Sequence, residues 1–387
     1  MINFNFYSPT NMIFGKDTHH QVGEIISSYN FKNILLIYGK SSIKKIGLYD
    51  DVVNSLNKHN INFIEFSGVE PNPKLSFVNN VLKEIKGKPI DMILAVGGGS
   101  VLDTAKLISH AYYYDKDPFD FNLKKVISKK ALPLGVILTI SAAGSELSNS
   151  CVISNDLITP YQKVGFTTDL NRPLFAICNP QLTYSVSKYQ TACGIVDIMM
   201  HTLERYFNYK DDCMLSEEIA LGLLKTVVHY GKIAYNDPTN YEARAELMLA
   251  SSLSHNCLTG LGKTQFMRAH GIEHILSGFH DEVAHGAGLS IIWIAWCKFV
   301  VNHEKAKKLL SKLSKALFNE DDAYKGILLL EQYFKDIGMP TRLSDLNIKD
   351  INIEKMASSY TNNNQKINKD FIDLDYNATL EILKLAM

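Results

Sequence analysis

One aspartate and several histidines are spaced in this sequence as metal ligands on helices would be. Asp197 and His201 lie four residues apart, and so do His270 and His274. On a helix, residues at this spacing project side by side from one face, so each pair offers two donor atoms in the same direction. A carboxylate oxygen combined with imidazole nitrogens suits a first-row divalent metal such as iron or zinc.

The second pair belongs to a stretch that is rich in histidine. Residues 269–286 read AHGIEHILSGFHDEVAHG and hold four of the chain's twelve histidines: His270, His274, His280 and His285. His285 precedes a glycine, where a helix or loop can bring it back towards the first pair. A single histidine here is more simply explained as a surface residue or a hydrogen-bonded core residue. Two pairs at i, i+4 spacing in largely apolar surroundings favour a metal site over that alternative.

A glycine-rich segment follows a predicted buried strand. The apolar run Met92–Val96 ends at GGGSVLDTAK, residues 97–106. Glycines let the backbone approach a ligand, and the predicted helix after them begins with free N–H groups and the positive end of its dipole. These features are typical of a phosphate-binding turn. The segment is neither a G-x-G-x-x-G fingerprint nor a P-loop, and a glycine turn by itself is also compatible with a structural role.

The hydrophobic pattern predicts two domains of different classes. From residue 33, short apolar runs (33–38, 61–66, 92–96) alternate with helical segments (47–59, 75–85), as in a parallel sheet covered on both faces. Alternation at Phe4 and Phe6 predicts a further strand. Beyond residue 183 the spacing is helical, in segments 190–207, 214–235, 241–258, 270–279, 286–301 and 304–317. We therefore predict an α/β dinucleotide-binding domain at 1–183 and an all-helical metal-binding and catalytic domain at 184–387, with a polar surface loop at 358–370.

Composition excludes some function classes. The 387 residues carry 40 basic and 40 acidic side chains, so the balance gives no reason to expect nucleic acid or an anionic membrane as a partner. The six cysteines are scattered without paired spacing, which predicts reduced thiols and a cytoplasmic protein. The N-terminus lacks the features of a signal peptide, and the longest apolar stretch, Leu289–Val301, is too short to span a bilayer.

The ordered motifs resemble those of the iron-containing (group III) alcohol dehydrogenases, and the segment from Ile37 to Val53 is most similar to their butanol-dehydrogenase branch. The resemblance implies that Asp197, His201, His270 and His285 hold the metal. It also implies that His274 is a non-ligand histidine facing the active site. The interval from the His270/His274 pair to His285 is one residue longer than in many members. His280 lies within this interval, so the alignment with the family's last ligand is least certain there.

Three further segments extend this resemblance into the first half. GGGSVLDTAK is similar to the family's pyrophosphate-binding motif, and Glu70–Pro73 (EPNP) to a loop whose Asn lies near the nicotinamide. Residues 139–146, TISAAGSE, resemble a segment that lines the cofactor cleft, although Ser141 and Ala143 depart from its usual proline and threonine. Lys163 matches a lysine facing the nicotinamide ribose. The predicted cofactor contacts are Gly39, Lys40, Ser41, Ser42, Asn72, Gly97, Gly98, Gly99, Ser100, Asp103, Thr139, Ala142, Gly144, Ser145 and Lys163.

The resemblance implies the dehydroquinate synthase-like fold of this family and an NAD(P)-dependent alcohol dehydrogenase that works as an aldehyde reductase. The expected metal is Fe²⁺, with Zn²⁺ as the alternative, because N/O sites favour zinc over iron in the Irving–Williams order. The expected partners are a small alcohol or aldehyde and a second copy of the chain in a homodimer. His274 either relays the alcohol proton or orients a ligand or bound water.

The sequence also bears on the choice of dinucleotide. Dehydrogenases that require NAD place an acidic residue at the end of a nucleotide-domain strand, where it binds the ribose hydroxyls and repels a 2′-phosphate. In NAD-specific relatives that acid aligns with Gly39. Here residues 38–44 read YGKSSIK, whose serines and lysines can bind a phosphate. We therefore predict a preference for NADP(H), while solvated lysines and equal use of both cofactors remain the simpler alternative.

Two other functions use the same residues. A metal-dependent hydrolase or lyase could employ the donor set to activate water, but the glycine-rich and EPNP segments would then have no role. A non-catalytic nucleotide-binding relative would keep the fold and lose the metal donors, yet all four donor positions are filled in this chain.

Overall fold

A six-stranded parallel sheet forms the centre of the first half of the chain. The computed structural model describes all 387 residues. The strands are β1 (Asn11–Phe14), β2 (Asn33–Tyr38), β3 (Asn62–Phe66), β4 (Met92–Gly97), β5 (Leu134–Leu138), β6 (Ser150–Asn155), β7 (Gln162–Thr167) and β8 (Phe175–Cys178). The large sheet has the order β1-β8-β5-β4-β2-β3, and β6 pairs with β7 in an antiparallel ribbon.

Burial on both faces explains the continuous apolar runs of the sheet. Every residue of β4 is buried. In β2, Leu35 and Ile37 pack into one hydrophobic cluster, while Ile34 and Leu36 pack into the other. Because both faces are covered, each side chain of a central strand must be apolar. The glycine-rich turn leaves the carboxyl end of β4, the edge at which open α/β sheets bind ligands.

Helices cover this sheet and build the second half of the chain. They are α1 (Val22–Ser28), α2 (Ser42–Lys45), α3 (Leu48–Lys58), α4 (Leu75–Ile85), α5 (Gly99–Ala111), α6 (Phe119–Asn122), α7 (Lys188–Tyr206), α8 (Met214–Asn236), α9 (Tyr241–Ser254), α10 (Arg268–Phe279), α11 (His285–Val300), α12 (Glu304–Phe318), α13 (Ala323–Asp336), α14 (Ile353–Tyr360) and α15 (Tyr376–Leu385). The predicted fold class, an α/β half followed by a helical half, is confirmed. None of these helices has the length and apolar character needed to cross a membrane.

The chain divides into two compact units whose limits differ from a single cut at residue 183. The α/β unit comprises Tyr7–Val186 and Pro238–Ser252, and the helical unit comprises Met1–Phe6, Ser187–Asp237 and Leu253–Met387. Most of α9 therefore belongs with the sheet. Met248 is buried in the sheet's hydrophobic cluster, and Ser252 donates a hydrogen bond to Glu146.

One local prediction is wrong, and a second is right only for residues 362–369. Residues 1–10 form no strand, because within this chain only the amide of Ile2 finds a backbone partner there, the carbonyl of Gly262. Residues 358–370 are not simply a surface loop. Helix α14 runs into them, and Asp370 is buried against Arg268 and the indole N–H of Trp296.

Candidate metal centre and nucleotide-binding edge

Three helices of the helical unit bring the predicted donors together. Asp197 and His201 lie on α7, His270 near the start of α10, and His285 at the first residue of α11. The Asp197 Oδ1 atom lies 3.3 Å from Nδ1 of His201, 3.8 Å from Nε2 of His270 and 3.9 Å from Nε2 of His285. The donor atoms of Asp197, His201 and His270 therefore lie within 4.8 Å of one another, and His285 approaches this group through Asp197.

Several of these atoms lack the partners that buried polar atoms normally have. Asp197 Oδ1, His201 Nδ1 and His270 Nε2 are buried and make no hydrogen bond. Burying a polar atom without a partner costs free energy. Because these three atoms face each other, a single bound cation would satisfy all of them. Burial holds the pKa of His201 well below its usual value, so that its ring stays neutral as a ligand must be. The donor set fits a divalent metal ion.

Gly286 allows α11 to approach α7 closely enough to place His285 beside Asp197. A Cβ atom on Gly286 would lie 2.3 Å from the carbonyl oxygen of Cys193 and 2.6 Å from its Cα. No side chain fits there, so the first turn of α11 lies directly on the backbone of α7. This close approach places His285 beside Asp197, which is one helical turn beyond Cys193.

Two buried glutamates orient two of the histidines, and the sequence reading missed both. Glu204 accepts hydrogen bonds from the amide of Ala269 at 2.6 Å and from Nδ1 of His270. Glu273 accepts a hydrogen bond from Nδ1 of His285. Each histidine is thereby left with Nε2 facing Asp197, the arrangement that supports metal-binding histidines.

The charge on Glu204 also changes the protonation of its partner. Burial by itself would lower the pKa of His270, but the neighbouring carboxylates of Glu204 and Asp197 outweigh it and raise the pKa to about 9. A metal ion binding at His270 must therefore displace a proton near neutral pH.

The other two histidines of the 269–286 stretch differ in position. The His274 ring is half-buried, with its centroid 5.6 Å from that of His285 and 6.4 Å from that of His270. His280 directly follows α10 and lies near Glu282, with 3.7 Å between Nδ1 and the carboxylate. The structure thus brings His285, and not His280, to Asp197.

A further group of possible donors lies in the α/β unit and is less suited to a metal. His19, His20 and Asp51 lie close together. The amide oxygen of Asn179 accepts from Gln181 N, so its nitrogen must donate to Nδ1 of His19 at 3.1 Å. The neutral ring then carries its proton on Nε2, which lies 3.3 Å from Asp51. A hydrogen bond accounts for this cluster.

In the α/β unit, the glycine-rich turn joins β4 to α5 as predicted. Gly98 precedes the first helical residue, Gly99, and no side chain caps this helix end. A Cβ atom on Gly98 would lie 2.3 Å from Cγ2 of Ile140, and one on Gly99 would lie 3.2 Å from the Cβ of Ala143. The glycines are thus needed for packing against the loop after β5, as well as leaving helix N–H groups for an anion.

Asp103 and Ser145 support that loop from within. The Asp103 carboxylate accepts hydrogen bonds from Ser145 Oγ at 2.7 Å and from the amide of Val152 at 2.9 Å. Lys106, which the sequence reading did not single out, donates to the carbonyls of Ser145 and Ser150 at 2.8 Å each. These contacts are internal and hold the backbone of this loop in place.

The remaining predicted contacts lie along the same edge or beside it. Thr139 follows β5 and donates its amide to Gly97 at 3.1 Å, Ala142 bonds Ser251 of α9, and Gly144 has a positive φ of 67°. Lys163 on β7 donates to Asn72 Oδ1 at 3.2 Å, so these two predicted contacts meet. Ser100 lies in the first turn of α5.

The segment after β2 carries positive charge, and carboxylates from other parts of the chain lie beside it. Lys40 forms an exposed ion pair with Glu70 at 2.7 Å. Lys44 lies over the Tyr49 ring at 4.4 Å from its centroid, and the Tyr49 hydroxyl donates to Glu65. Gly39 directly follows β2, Ser41 precedes the short helix α2, and Ser42 is its first residue.

Known proteins of the same organisation match the whole chain. The family described as iron-containing alcohol dehydrogenase matches residues 9–180, and the C-terminal family of Fe-containing alcohol dehydrogenases matches residues 191–387. NADH-dependent butanol dehydrogenase A of Clostridium acetobutylicum is 37% identical over 99% of both chains. The NADPH-dependent aldehyde reductase YqhD of Escherichia coli is 32% identical over 90% of both chains.

Solved structures agree with these sequence matches. The crystal structure of NADH-dependent butanol dehydrogenase A from Thermotoga maritima superimposes with a TM-score of 0.94, at 35% identity, over 100% of this chain and 99% of that one. The hydrolase, lyase and non-catalytic alternatives have no counterpart among these relatives. A divalent metal and a nicotinamide cofactor follow from the family. This chain belongs to the iron-containing alcohol dehydrogenase family, in its butanol-dehydrogenase-like branch, and is an NAD(P)-dependent alcohol dehydrogenase or aldehyde reductase.

Proposed function

We propose that this enzyme reduces small aldehydes with NAD(P)H at a divalent metal ion held by Asp197, His201, His270 and His285. The observation that carries the ligand assignment is the set of three buried donor atoms without hydrogen bonds, Asp197 Oδ1, His201 Nδ1 and His270 Nε2. His285 completes the set through Nε2, at 3.9 Å from the same carboxylate oxygen. One anionic and three neutral ligands leave a site charge near +1, which suits a substrate oxygen that gains negative charge.

When bound, the ion supplies a Lewis acid at the substrate oxygen, and the nicotinamide supplies the hydride. The protein's part is to bind and orient the ion and the cofactor. Glu204 and Glu273 hold the rings of His270 and His285, while the glycine turn before α5 offers its N–H groups to the pyrophosphate. Asn72 and Lys163, joined at 3.2 Å, would bind the nicotinamide end of the dinucleotide.

His274 is the proposed proton relay. Its ring is half-buried and lies beside that of His285 without belonging to the donor set around Asp197, and imidazole titrates near neutral pH. The alternative role, orienting a ligand or a bound water, would leave the pH dependence of turnover unchanged in His274→Gln. A wild-type pH profile in that variant would contradict the relay.

Iron is the proposed metal, in keeping with the family name. An N/O donor set binds zinc more tightly than iron in the Irving–Williams order, so zinc occupancy is expected where iron is scarce or oxidised. Metal analysis of protein purified without oxygen tests this, and a zinc-only protein from iron-replete cells would contradict it.

We propose a preference for NADP(H) over NAD(H). The relatives include NADH-dependent butanol dehydrogenases and an NADPH-dependent aldehyde reductase, so both cofactors occur among them. Support comes from Gly39, Ser41, Ser42 and Lys44, which offer space, hydroxyl donors and a positive charge at the end of β2. The Lys40–Glu70 ion pair works against the preference, because a 2′-phosphate must compete with Glu70 for Lys40.

The variant Gly39→Asp tests this preference. A Cβ atom on Gly39 would meet only the carbonyl of Val69, at 3.7 Å, so the substitution fits the fold. The added carboxylate repels a 2′-phosphate, and we expect kcat/KM with NADPH to fall about 10- to 100-fold while that with NADH changes little. The measurement is catalytic efficiency with each cofactor across an aldehyde panel.

The control for this test is Gly222→Asp on α8, where an added Cβ atom meets nothing within 4 Å. A clear advantage for NADH in the wild-type enzyme would overturn the proposed preference. Equal losses with both cofactors in Gly39→Asp would also contradict it.

We propose that the protein is a cytoplasmic homodimer. Met1, Phe4 and Phe6 are 76%, 54% and 42% exposed, and apolar exposure of this kind is typical of an interface. The alternation at Phe4 and Phe6 also suits pairing with a second copy. Six free cysteines suit a reducing compartment. A monomer in sedimentation equilibrium would contradict the dimer.

A further inference from the structure

A short sequence pattern occurs twice in the metal centre. Residues 201–204 read HTLE and residues 270–273 read HGIE, so each of two proposed ligand histidines is followed three residues later by a glutamate. Residues three apart on a helix lie on neighbouring positions of one face. Each glutamate therefore points to the same side of its helix as the histidine before it.

The two glutamates do not serve the histidines of their own helices. Glu204 of α7 accepts from Nδ1 of His270 on α10, and Glu273 of α10 accepts from Nδ1 of His285 on α11. Helices α7 and α10 thus each carry a carboxylate that holds a proposed ligand histidine of another helix. Both carboxylates are almost fully buried, at 3% and 0% exposure, so water cannot replace them as partners.

We propose that Glu204 and Glu273 are positioning residues that set the metal affinity of the centre, each by fixing a ligand histidine of another helix with Nε2 directed at the ion. The inference rests on the metal ligands of the proposed function. A carboxylate on Nδ1 selects the tautomer that leaves Nε2 free, restrains the ring and makes it a stronger donor.

The packing around Glu273 is fitted to this role. A Cβ atom on Gly288 of α11 would lie 2.8 Å from Cγ of Glu273 and 3.3 Å from its Oε1. Glycine at 288 therefore makes room for the glutamate. Ser277 donates a hydrogen bond to the second carboxylate oxygen, which fixes the carboxylate plane.

Two substitutions separate charge from position. In Glu273→Gln the amide can still accept from His285 and donate to the Ser277 hydroxyl, so the shape is kept and only the charge is lost. In Gly288→Ala the charge is kept and the carboxylate is displaced. Glu204→Gln is less clean, because its amide group must face the N–H of Ala269 or of His270.

Two measurements on the full-length protein test the proposal. One is its affinity for Zn²⁺, determined by competition with a chromophoric chelator, and the other is the visible spectrum of the Co²⁺-loaded protein. We expect both variants to bind Zn²⁺ about 10- to 100-fold more weakly than the wild type, and to shift the Co²⁺ bands. The matched control for the glutamate is Glu331→Gln, because Glu331 is also buried but pairs with Lys298 and Lys335 instead of a histidine. The matched control for the glycine is Gly222→Ala, because an added Cβ atom there meets nothing within 4 Å. Both controls should bind zinc as the wild type does.

Thermal unfolding of the metal-free proteins separates a positioning role from a structural one. A purely structural role would lower the metal-free midpoint and leave zinc affinity and the Co²⁺ spectrum of the folded protein unchanged. Wild-type affinity and spectrum in Glu273→Gln would overturn the proposal. If the wild-type protein itself bound neither Zn²⁺ nor Co²⁺, the ligand assignment would fall first, and the two failures are therefore distinguishable.

Discussion

His270→Ala is expected to abolish turnover and stoichiometric metal binding while leaving dinucleotide binding intact. The reason is a division of labour between the units. The proposed ligands belong to the helical unit, and the glycine turn and its neighbours belong to the α/β unit. Loss of Lewis-acid stabilisation worth several kcal/mol corresponds to a rate decrease of at least about 10³-fold. Asp197→Ala should behave in the same way.

Three measurements define the result for His270→Ala: metal per chain, kcat, and binding of NADPH followed by its fluorescence. The control is His229→Ala, an exposed histidine of α8 in the same unit. Because the variant leaves the Glu204 carboxylate buried without its imidazole partner, the unfolding midpoint must be recorded as well. Retention of most activity, or of one metal ion per chain, would show that the ligand assignment is wrong.

Gly98→Val is expected to raise KM for the dinucleotide about 100-fold or more, with metal content unchanged. A side chain at this position has two effects. It lies against the helix N–H groups that we propose to bind the pyrophosphate, and its Cβ atom would meet Ile140 at 2.3 Å, which displaces the loop after β5. That loop carries Thr139 and Ala142, two of the proposed cofactor contacts.

The second effect calls for a matched variant. Ile140→Ala removes the clashing group, so Gly98→Val/Ile140→Ala keeps the altered turn while relieving the contact. Both variants should retain wild-type metal content, because the proposed ligands lie in the other unit. Unaltered cofactor affinity in Gly98→Val would mean that the glycines serve only the packing of the turn.

Much of the fold follows from local pattern. Strands β2 and β4 were predicted within a residue because continuous apolar runs end where Gly39 and the glycine-rich turn begin. Helix α4 was predicted at its observed limits. Strong periodicity and glycine punctuation specify such elements without reference to the rest of the chain.

What the sequence did not predict depends on distant partners. Tyr241–Ser254 is periodic like its neighbours, yet most of it belongs to the α/β unit, because Met248 and Ser252 find their contacts there. The segment around Phe4 and Phe6 has the alternating apolar pattern of a strand, but no other strand of this chain pairs with it. Periodicity describes an element but not what it packs against.

In the candidate site, too, the residues with a clear local pattern were predicted, and those identified only by contacts between helices were missed. Spacing and resemblance predicted Asp197, His201, His270 and His285 as one ligand set. The structure places a ring nitrogen of each histidine between 3.3 and 3.9 Å from Oδ1 of the aspartate. Glu204 and Glu273 were missed, although the repeated H-x-x-E pattern was visible. A glutamate on a helix is usually solvated, and only burial between helices identifies these two as partners of the histidines.

Metal-dependent aldehyde reduction is the central claim, and metal removal tests it most directly. Protein purified without oxygen is stripped with a chelator, and NADPH oxidation with a short-chain aldehyde is followed before stripping, after stripping and after addition of Fe²⁺ or Zn²⁺. We expect activity to disappear on stripping and to return in proportion to the metal rebound, with a stoichiometry of one ion per chain. Undiminished aldehyde-dependent NADPH oxidation by the metal-free protein, or none by the reloaded protein with any aldehyde, would contradict the account.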